Sequence, residues 1–276
     1  MSDLLITPDQ LADAMLSSTP PVVLDVRWQL GDPDGRLHYR DGHVPGAVFV
    51  DLDAELAAAP SPEQGRHPLP DVGDLQAAAR RWGIDDGVPV VVYDDIGNLA
   101  SARAWWLLRW GGVVDVRLLD GGLGAWRAAG FRVSQGDTEP RSGTVTLTPG
   151  QLPTVAIDEI ETLDADLLDA RAAERYRGEV EPIDPRAGHI PGAISVPTAA
   201  NISVDGTFLP ASQLRERFAA LGIREGDSPV VYCGSGVNAA HEIAALHIAG
   251  LAGTLFAGSW SQWSSDPQRS VATGEG

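Results

Sequence analysis

Cys233 is the only cysteine of the 276 residues, and it ends an apolar run at the mouth of a helical pattern: Val230-Val231-Tyr232-Cys233-Gly234-Ser235-Gly236-Val237-Asn238-Ala239-Ala240. A strand over 229–232 and a helix over 238–249 leave the residues between them as a tight loop. In such a loop successive backbone N–H groups turn inward, and the helix N-terminus adds the positive end of its dipole. Those surroundings favour the thiolate, the nucleophilic form of cysteine. Placement alone leaves a second reading open, in which a lone cysteine after a strand is a small buried core residue.

The elements around this loop occur twice. Leu24-Asp25-Val26-Arg27 returns as Leu168-Asp169-Ala170-Arg171, and Gly42-His43-Val44-Pro45-Gly46-Ala47 as Gly188-His189-Ile190-Pro191-Gly192-Ala193. Pro89-Val90-Val91-Val92-Tyr93-Asp94 matches Pro229-Val230-Val231-Tyr232-Cys233 with one residue deleted, which sets Asp94 against Cys233. Gly121-Gly122-Leu123-Gly124-Ala125-Trp126 answers Gly258-Ser259-Trp260-Ser261-Gln262-Trp263. Four matches in one order, at a period of about 140 residues, mark a duplicated domain rather than a solenoid of short repeats. The expected division is a first domain over 1–135, a linker over 136–153 rich in Gly, Pro, Ser and Thr, and a second domain over 154–276.

Within each half, strand and helix signals alternate. Thr7-Pro8-Asp9-Gln10 is a capping box with proline at the first helical position, opening a helix through Met15. Short apolar strands are expected at 22–26, 47–50, 88–93 and 116–119, and again near Leu167, Ile194, Val230 and Leu255. Helical patterns cover 71–82, 101–110 and 212–221; in the second of these, Trp105, Trp106, Leu108 and Trp110 read as core. Near-continuous apolar strands alternating with helices imply α/β domains, each a mostly parallel sheet covered by helices on both faces.

Composition narrows the class. A chain 43% hydrophobic and 21% charged is of ordinary globular type, and 276 residues suffice for two domains with cores of their own. No apolar run is long enough to cross a membrane, and Met1-Ser2-Asp3-Leu4-Leu5 lacks the basic and apolar regions of an export signal. One cysteine makes no internal disulfide, so the cytoplasm is the expected compartment. A net charge of −18 argues against nucleic acid or an anionic membrane as partner.

Taken together, the Asp-x-Arg strand ends, the paired Gly-His-x-Pro-Gly-Ala turns, the strand leading to Cys233-Gly234-Ser235-Gly236-Val237 and the late Gly258-Ser259-Trp260 resemble the two-domain rhodanese-type sulfurtransferases over nearly the whole chain. The resemblance implies two tandem rhodanese-like domains. Only the second would be catalytic, because Asp94 in the first cannot hold sulfane sulfur. It also implies attack of the Cys233 thiolate on a donor sulfur to leave a persulfide, and removal of the outer sulfur by a thiol or cyanide acceptor. A thioredoxin-like reductant is a candidate acceptor, and no cofactor is implied. Loop amides and Ser235 can stabilise charge on the travelling sulfur, with Gly234 and Gly236 letting backbone approach it; Gly234, Gly236, Val237 and Asn238 are the expected substrate-binding positions of this turn. Ser235 is a proton relay or a turn residue bonded to its own backbone.

The sequence Cys233-Gly234-Ser235-Gly236-Val237 is similar to the mercaptopyruvate branch, whereas thiosulfate-preferring members tend to carry basic residues after the cysteine. Gly234 and Ser235 put no fixed cation beside the thiol, which also disfavours the thiosulfate dianion. A carboxylate-bearing donor needs a cationic clamp, and arginine supplies a planar one. By resemblance Arg175, in Glu174-Arg175-Tyr176-Arg177-Gly178, is that clamp, and Arg186 is a second candidate. His67 and Asp53 align with a histidine and an aspartate that assist catalysis in that branch, with Asp51 a rival for the second role. His43 and His189 belong to the repeated turn and read as structural. No His, Cys and carboxylate cluster has zinc-type spacing.

Other readings fare worse. A cysteine phosphatase needs arginine six residues after the nucleophile, where Ala239 stands. A dinucleotide fold can cite Gly234-x-Gly236-x-x-Ala239, but 254–258 offers no acidic residue for the ribose. A persulfide carrier without small-molecule turnover remains, separable by turnover against purified donors.

Overall fold

The computed structural model describes residues 4–275; Gly276 and Met1-Ser2-Asp3, on which the reading of the N-terminus leans, lie outside them. The first sheet comprises β1 (Leu5–Ile6), β2 (Val22–Asp25), β3 (Val48–Phe49), β4 (Val90–Tyr93) and β5 (Val116–Leu119), in the order β1-β5-β4-β2-β3. The second comprises β6 (Leu167–Asp169), β7 (Ile194–Ser195), β8 (Val230–Tyr232) and β9 (Thr254–Leu255), in the order β7-β6-β8-β9. Every strand pairing is parallel. The second sheet is the first without β1, and Thr154 bridges Leu255 in parallel where β1 would lie.

The helices are α1 (Pro8–Met15), α2 (Gly35–Asp41), α3 (Leu52–Glu55), α4 (Val72–Arg81), α5 (Ser101–Trp110), α6 (Gly122–Ala128), α7 (Ala173–Tyr176), α8 (Ala211–Ala220), α9 (Val237–Ile248) and α10 (Ser259–Ser265). Among the described residues no helix is long and apolar enough to cross a membrane. The capping box of α1 is formed, with Gln10 N donating to Thr7 Oγ1 at 3.3 Å and Thr7 N donating to Gln10 Oε1 at 3.0 Å. Sequence boundaries are shifted by a residue or two at α4, α8 and α9, where helix ends depend on caps that periodicity does not show.

The repeated motifs build the same turn twice. In the first half Arg27 grips Asp25 through Nε and Nη2, at 3.1 and 2.8 Å, and reaches Gly42 O. In the second Arg171 grips Asp169 and donates to Gly188 O at 2.7 Å. His43 and His189 each bond a tyrosine carbonyl through Nδ1 and stack on that tyrosine ring. The tyrosine hydroxyls, of Tyr39 and Tyr176, close the turn on Ala47 O and Ala193 O. These histidines are structural, as the duplication implies.

Segment 136–153 is laid along the first domain. Val145 and Leu147 are buried, Thr148 N donates to Gly111 O, and Arg80 Nε donates to Val145 O. What joins the halves is α5 packed on α9. Positions 101–108 of α5 are all buried, and α9 is buried on nearly every position, so both helices lie inside, with Arg103 and His241 among their few polar side chains. Alanines on both, such as Ala104 and Ala244, share one core cluster that runs through the two domains. His241 of α9 bonds Gly97 O across this interface, and burial pushes its pKa down to about 3, so it stays neutral.

Candidate active site

Both helices at the interface are preceded by the loops aligned above, so the two loops face the domain boundary. In the first, the Asp94 carboxylate accepts the N–H groups of Ile96, Asn98, Ala100 and Ser101 at 2.8–2.9 Å. The Asp94 carboxyl fills that nest; burial raises its pKa, and the four N–H groups pull the other way. In the second, Cys233 Sγ takes the corresponding place and accepts Gly236 N–H at 3.1 Å. Gly236 has φ of 81°, and a Cβ there would stand 2.5 Å from Ala257 O, so only glycine turns the chain this tightly. The Cys233 N–H donates to Ser259 Oγ at 3.1 Å, and Ser259 holds a left-handed φ of 53°.

The first domain supplies the other wall. Gly65 lies so close to α10 that a Cβ would meet Gly258 O at 2.6 Å, and Arg66 N donates to Ser261 Oγ. This contact delivers Arg66 and His67 to the thiol loop. His67 Nδ1 is 2.7 Å from Ser235 Oγ, and its Nε2 is 3.0 Å from Asp53 Oδ1. An ionised Asp53 only accepts, so it fixes the proton on Nε2 and leaves Nδ1 to accept from the serine hydroxyl. Trp28 Nε1 steadies Asp53 at 3.1 Å. Burial lowers the pKa of His67 below its ordinary value, against the opposing pull of Asp53, so the ring is neutral at neutral pH.

The structure thus brings Cys233, Ser235, His67 and Asp53 together. Asp51, the rival, instead caps α3 by accepting Ala54 N–H. Arg175 flanks Gly234: a Cβ there would lie 3.3 Å from Arg175 Nη1. Its Nη2 is bound by Glu181 at 2.7 Å and Asp184 at 3.2 Å. Val237 opens α9, with Asn238 its second residue.

Two expectations need correction. Arg186 is not delivered to the thiol: its guanidinium donates to the carbonyls of Ser264, Arg269, Trp263 and Asp266, tying down the segment after α10. Nor is the thiol loop without cations. Its chain neighbours carry none, but the Arg66 and Arg175 guanidiniums both stand over Gly234, brought there by residues distant in sequence.

A cleft of about 750 Å³ opens beside the relay, lined among others by Trp28, Leu30, Pro60, Ile183, Arg66 and His67. A rhodanese-like domain model matches residues 7–129 and again 152–266. The chain belongs to the rhodanese-like family. Among relatives, it is 50% identical over 275 residues to a putative thiosulfate sulfurtransferase, SseB, of Mycobacterium tuberculosis, covering 98% of this chain and 97% of that one. It is 48% identical over 283 residues to a probable 3-mercaptopyruvate sulfurtransferase of Pseudomonas aeruginosa, covering 98% of each. The crystal structure of SseA from Escherichia coli, a 3-mercaptopyruvate sulfotransferase, superposes with a TM-score of 0.83 at 30% identity, over 94% of this chain and 99% of that one.

Against this rhodanese-like frame, three site residues escaped the sequence reading. Ser259 was in view as the Ser of Gly-Ser-Trp, but its bond to the Cys233 amide is a tertiary contact. Arg66 sits next to His67 and passes for a surface charge. Arg103 is signalled only by being the one charge within the buried stretch 101–108 of α5. It is fully buried, donates to the carbonyls of Leu56, His67, Pro68 and Gly236, and has no carboxylate within ion-pair distance among the described residues. Burial pushes its pKa down to about 10, and Cys233 is the charge partner that opposes this.

Proposed function

We propose that this sulfurtransferase takes sulfane sulfur from 3-mercaptopyruvate through a persulfide on Cys233 and passes it to a thiol or cyanide acceptor. The observation that carries the reading is the thiol, seated on the Gly236 amide, beside an arginine and a serine–histidine–aspartate relay. Arg175 holds the donor carboxylate, and Cys233 thiolate attacks the donor sulfur. The S–S bond forms as the C–S bond breaks, and its electron pair leaves on carbon as the enolate of pyruvate. The proton of the donor thiol passes to Ser235 and on to neutral His67, then returns to the enolate carbon. The balance is one thiolate and one mercaptopyruvate giving one persulfide anion and one pyruvate, with no outside reagent. The Gly236 N–H and the α9 N-terminus stabilise charge on the sulfur as it moves. An acceptor thiolate then attacks the outer sulfur and regenerates Cys233. A thioredoxin-like protein in the cytoplasm is a suitable acceptor.

Thiosulfate is the second reading, favoured by the name of the M. tuberculosis relative. Its two charges suit this site less well. Arg66 and Arg175 are already balanced by Glu181 and Asp184, and the chain carries −18 overall. Initial rates with the two donors separate the readings; a higher kcat/KM for thiosulfate at physiological ionic strength would replace the first by the second. For the mechanism itself, donor treatment should add about 32 Da to the wild type and nothing to Cys233→Ser, which should be inactive but folded. An unmodified wild type during active turnover refutes the covalent route.

A further inference from the structure

We propose that Arg103, buried in α5 of the domain without the nucleophile, is the fixed counter-charge for the Cys233 thiolate and for its persulfide. The inference deepens the reading above and rests on Cys233 as the nucleophile that carries sulfur. It begins with an imbalance. Arg27, Arg103 and Arg171 are the buried arginines among the described residues. Arg27 is paired with Asp25 and Arg171 with Asp169, as a charge taken out of water requires. Arg103, at 0% exposure the deepest of the three, is surrounded by the carbonyls of Leu56, His67, Pro68 and Gly236. Carbonyl dipoles satisfy its N–H groups without cancelling its charge.

The matching anion lies one residue away. Arg103 Nη1 donates to Gly236 O at 3.3 Å, and the N–H of that same glycine holds Cys233 Sγ at 3.1 Å. Guanidinium and sulfur thus flank a single residue, and Cys233 is itself only 3% exposed. Charges so placed couple more strongly than a pair at the surface. Comparison of the two loops shows what the cation replaces. The Asp94 carboxyl accepts four N–H groups from its own loop, whereas the sulfur accepts that of Gly236. The other cations near the thiol are not equivalent, because Arg66 and Arg175 are tied to the carboxylates of Asp184 and Glu181, and His67 is neutral. Through Nη2, Arg103 also holds His67 O and Pro68 O at 3.0 and 3.2 Å, which locks the cation to the backbone of both domains. It bonds backbone and acts through Gly236, so it is a positioning residue.

Because Cys233 is the only cysteine, the ultraviolet thiolate band, taken as the difference from Cys233→Ser in the same background, reads one group. Arg103→Gln keeps amide donors for the carbonyls and removes the charge; Arg103→Lys keeps the charge and loses most of the bonds. At neutral pH Arg103→Gln should lower the thiolate-to-thiol ratio about tenfold or more, while Arg103→Lys should stay within about threefold of wild type. A role in packing alone gives the opposite sign, since a loosened interface admits water, and water favours the charged form. Initial rates of sulfur transfer should follow the band, lost in Arg103→Gln and largely recovered in Arg103→Lys. A ratio unchanged or raised in Arg103→Gln, or lowered as far in Arg103→Lys, overturns the proposal, as does a wild type without the band. If neither variant folds, the coupling is read from the other partner. Cys233→Ser strips Arg103 of its anion and should lower the urea midpoint at neutral pH; a midpoint equal to that of wild type overturns the proposal. A band that depends on Arg103, in a protein that turns over neither mercaptopyruvate nor thiosulfate, would instead refute the donor reading and leave the counter-charge standing.

Discussion

Replacing Asp53 by Asn separates a relay that moves protons from a cluster that only packs. Asp53 Oδ1 stands 3.0 Å from His67 Nε2. When His67 takes the proton of the donor thiol, an imidazolium forms against that carboxylate. Two unit charges about 4 Å apart interact by about 1 kcal/mol in water and about 4 kcal/mol where the effective dielectric is about 20. The Asp53 side chain is 64% exposed, which places the pair near the lower end. About 1–2 kcal/mol, or about 5–30-fold in kcat, is expected from losing the charge. KM should hardly move, because Asp53 bonds Trp28 and His67 and makes no contact with Arg175. The pH profile gives a second signature. Protonated His67 cannot accept a proton, so activity falls as pH drops through its pKa, which burial already holds below the ordinary value. Asp53 pulls that pKa upward, so Asp53→Asn should move the acid limb to lower pH while lowering the plateau. Pyruvate release followed over pH 5–9 reads both effects, and Asp51→Asn, which alters only the α3 cap, should leave the pH profile unchanged. An unchanged plateau for Asp53→Asn, or an acid limb moved to higher pH, refutes the relay.

Two further outcomes are expected. Arg175→Ala should raise KM for mercaptopyruvate about ten- to a hundredfold, the value of a charge-assisted contact of about 1.5–3 kcal/mol; steady-state kinetics identical to wild type would remove Arg175 from the clamp. Arg103→Met leaves the carbonyls of Leu56, His67, Pro68 and Gly236 without their donor, and should lower the unfolding free energy by about 3–5 kcal/mol, allowing for water entering part of the gap. A urea midpoint within error of wild type would show that these contacts are not made in solution.

Much of the fold was legible because duplication writes each element twice. The Asp-x-Arg ends, the Gly-His turns and the two loops align with one another, and that alignment sets Asp94 against Cys233 from sequence alone. Buried parallel strands also announce themselves as short apolar runs. The site was legible only where its residues lie in the repeat or its resemblance. Arg186 shows the limit: its position before Gly188-His189 says nothing of the direction its side chain takes, and the carbonyls that claim it come from 263–269. Arg66, Arg103 and Ser259 owe their places to the packing of α5 on α9 and of Gly65 on Gly258, contacts that no local pattern encodes.

The Asp94 nest also bears on the history of the chain. The same loop stands in two conditions, filled by the Asp94 side chain in one copy and holding the Cys233 thiol in the other. The filled copy has not thereby become dispensable. It places His67, Asp53 and Arg66 against the catalytic loop, so under the proposed relay a change at these first-domain positions should cost activity at the thiol of the second. Under the proposed relay, a segment cut to 154–276 would keep the nucleophile and lose His67 and Asp53, the groups that take up the donor's proton. A free-standing copy of the second domain could then survive in evolution only by recruiting those groups from another chain, or by turning to donors that need neither a clamp nor a proton.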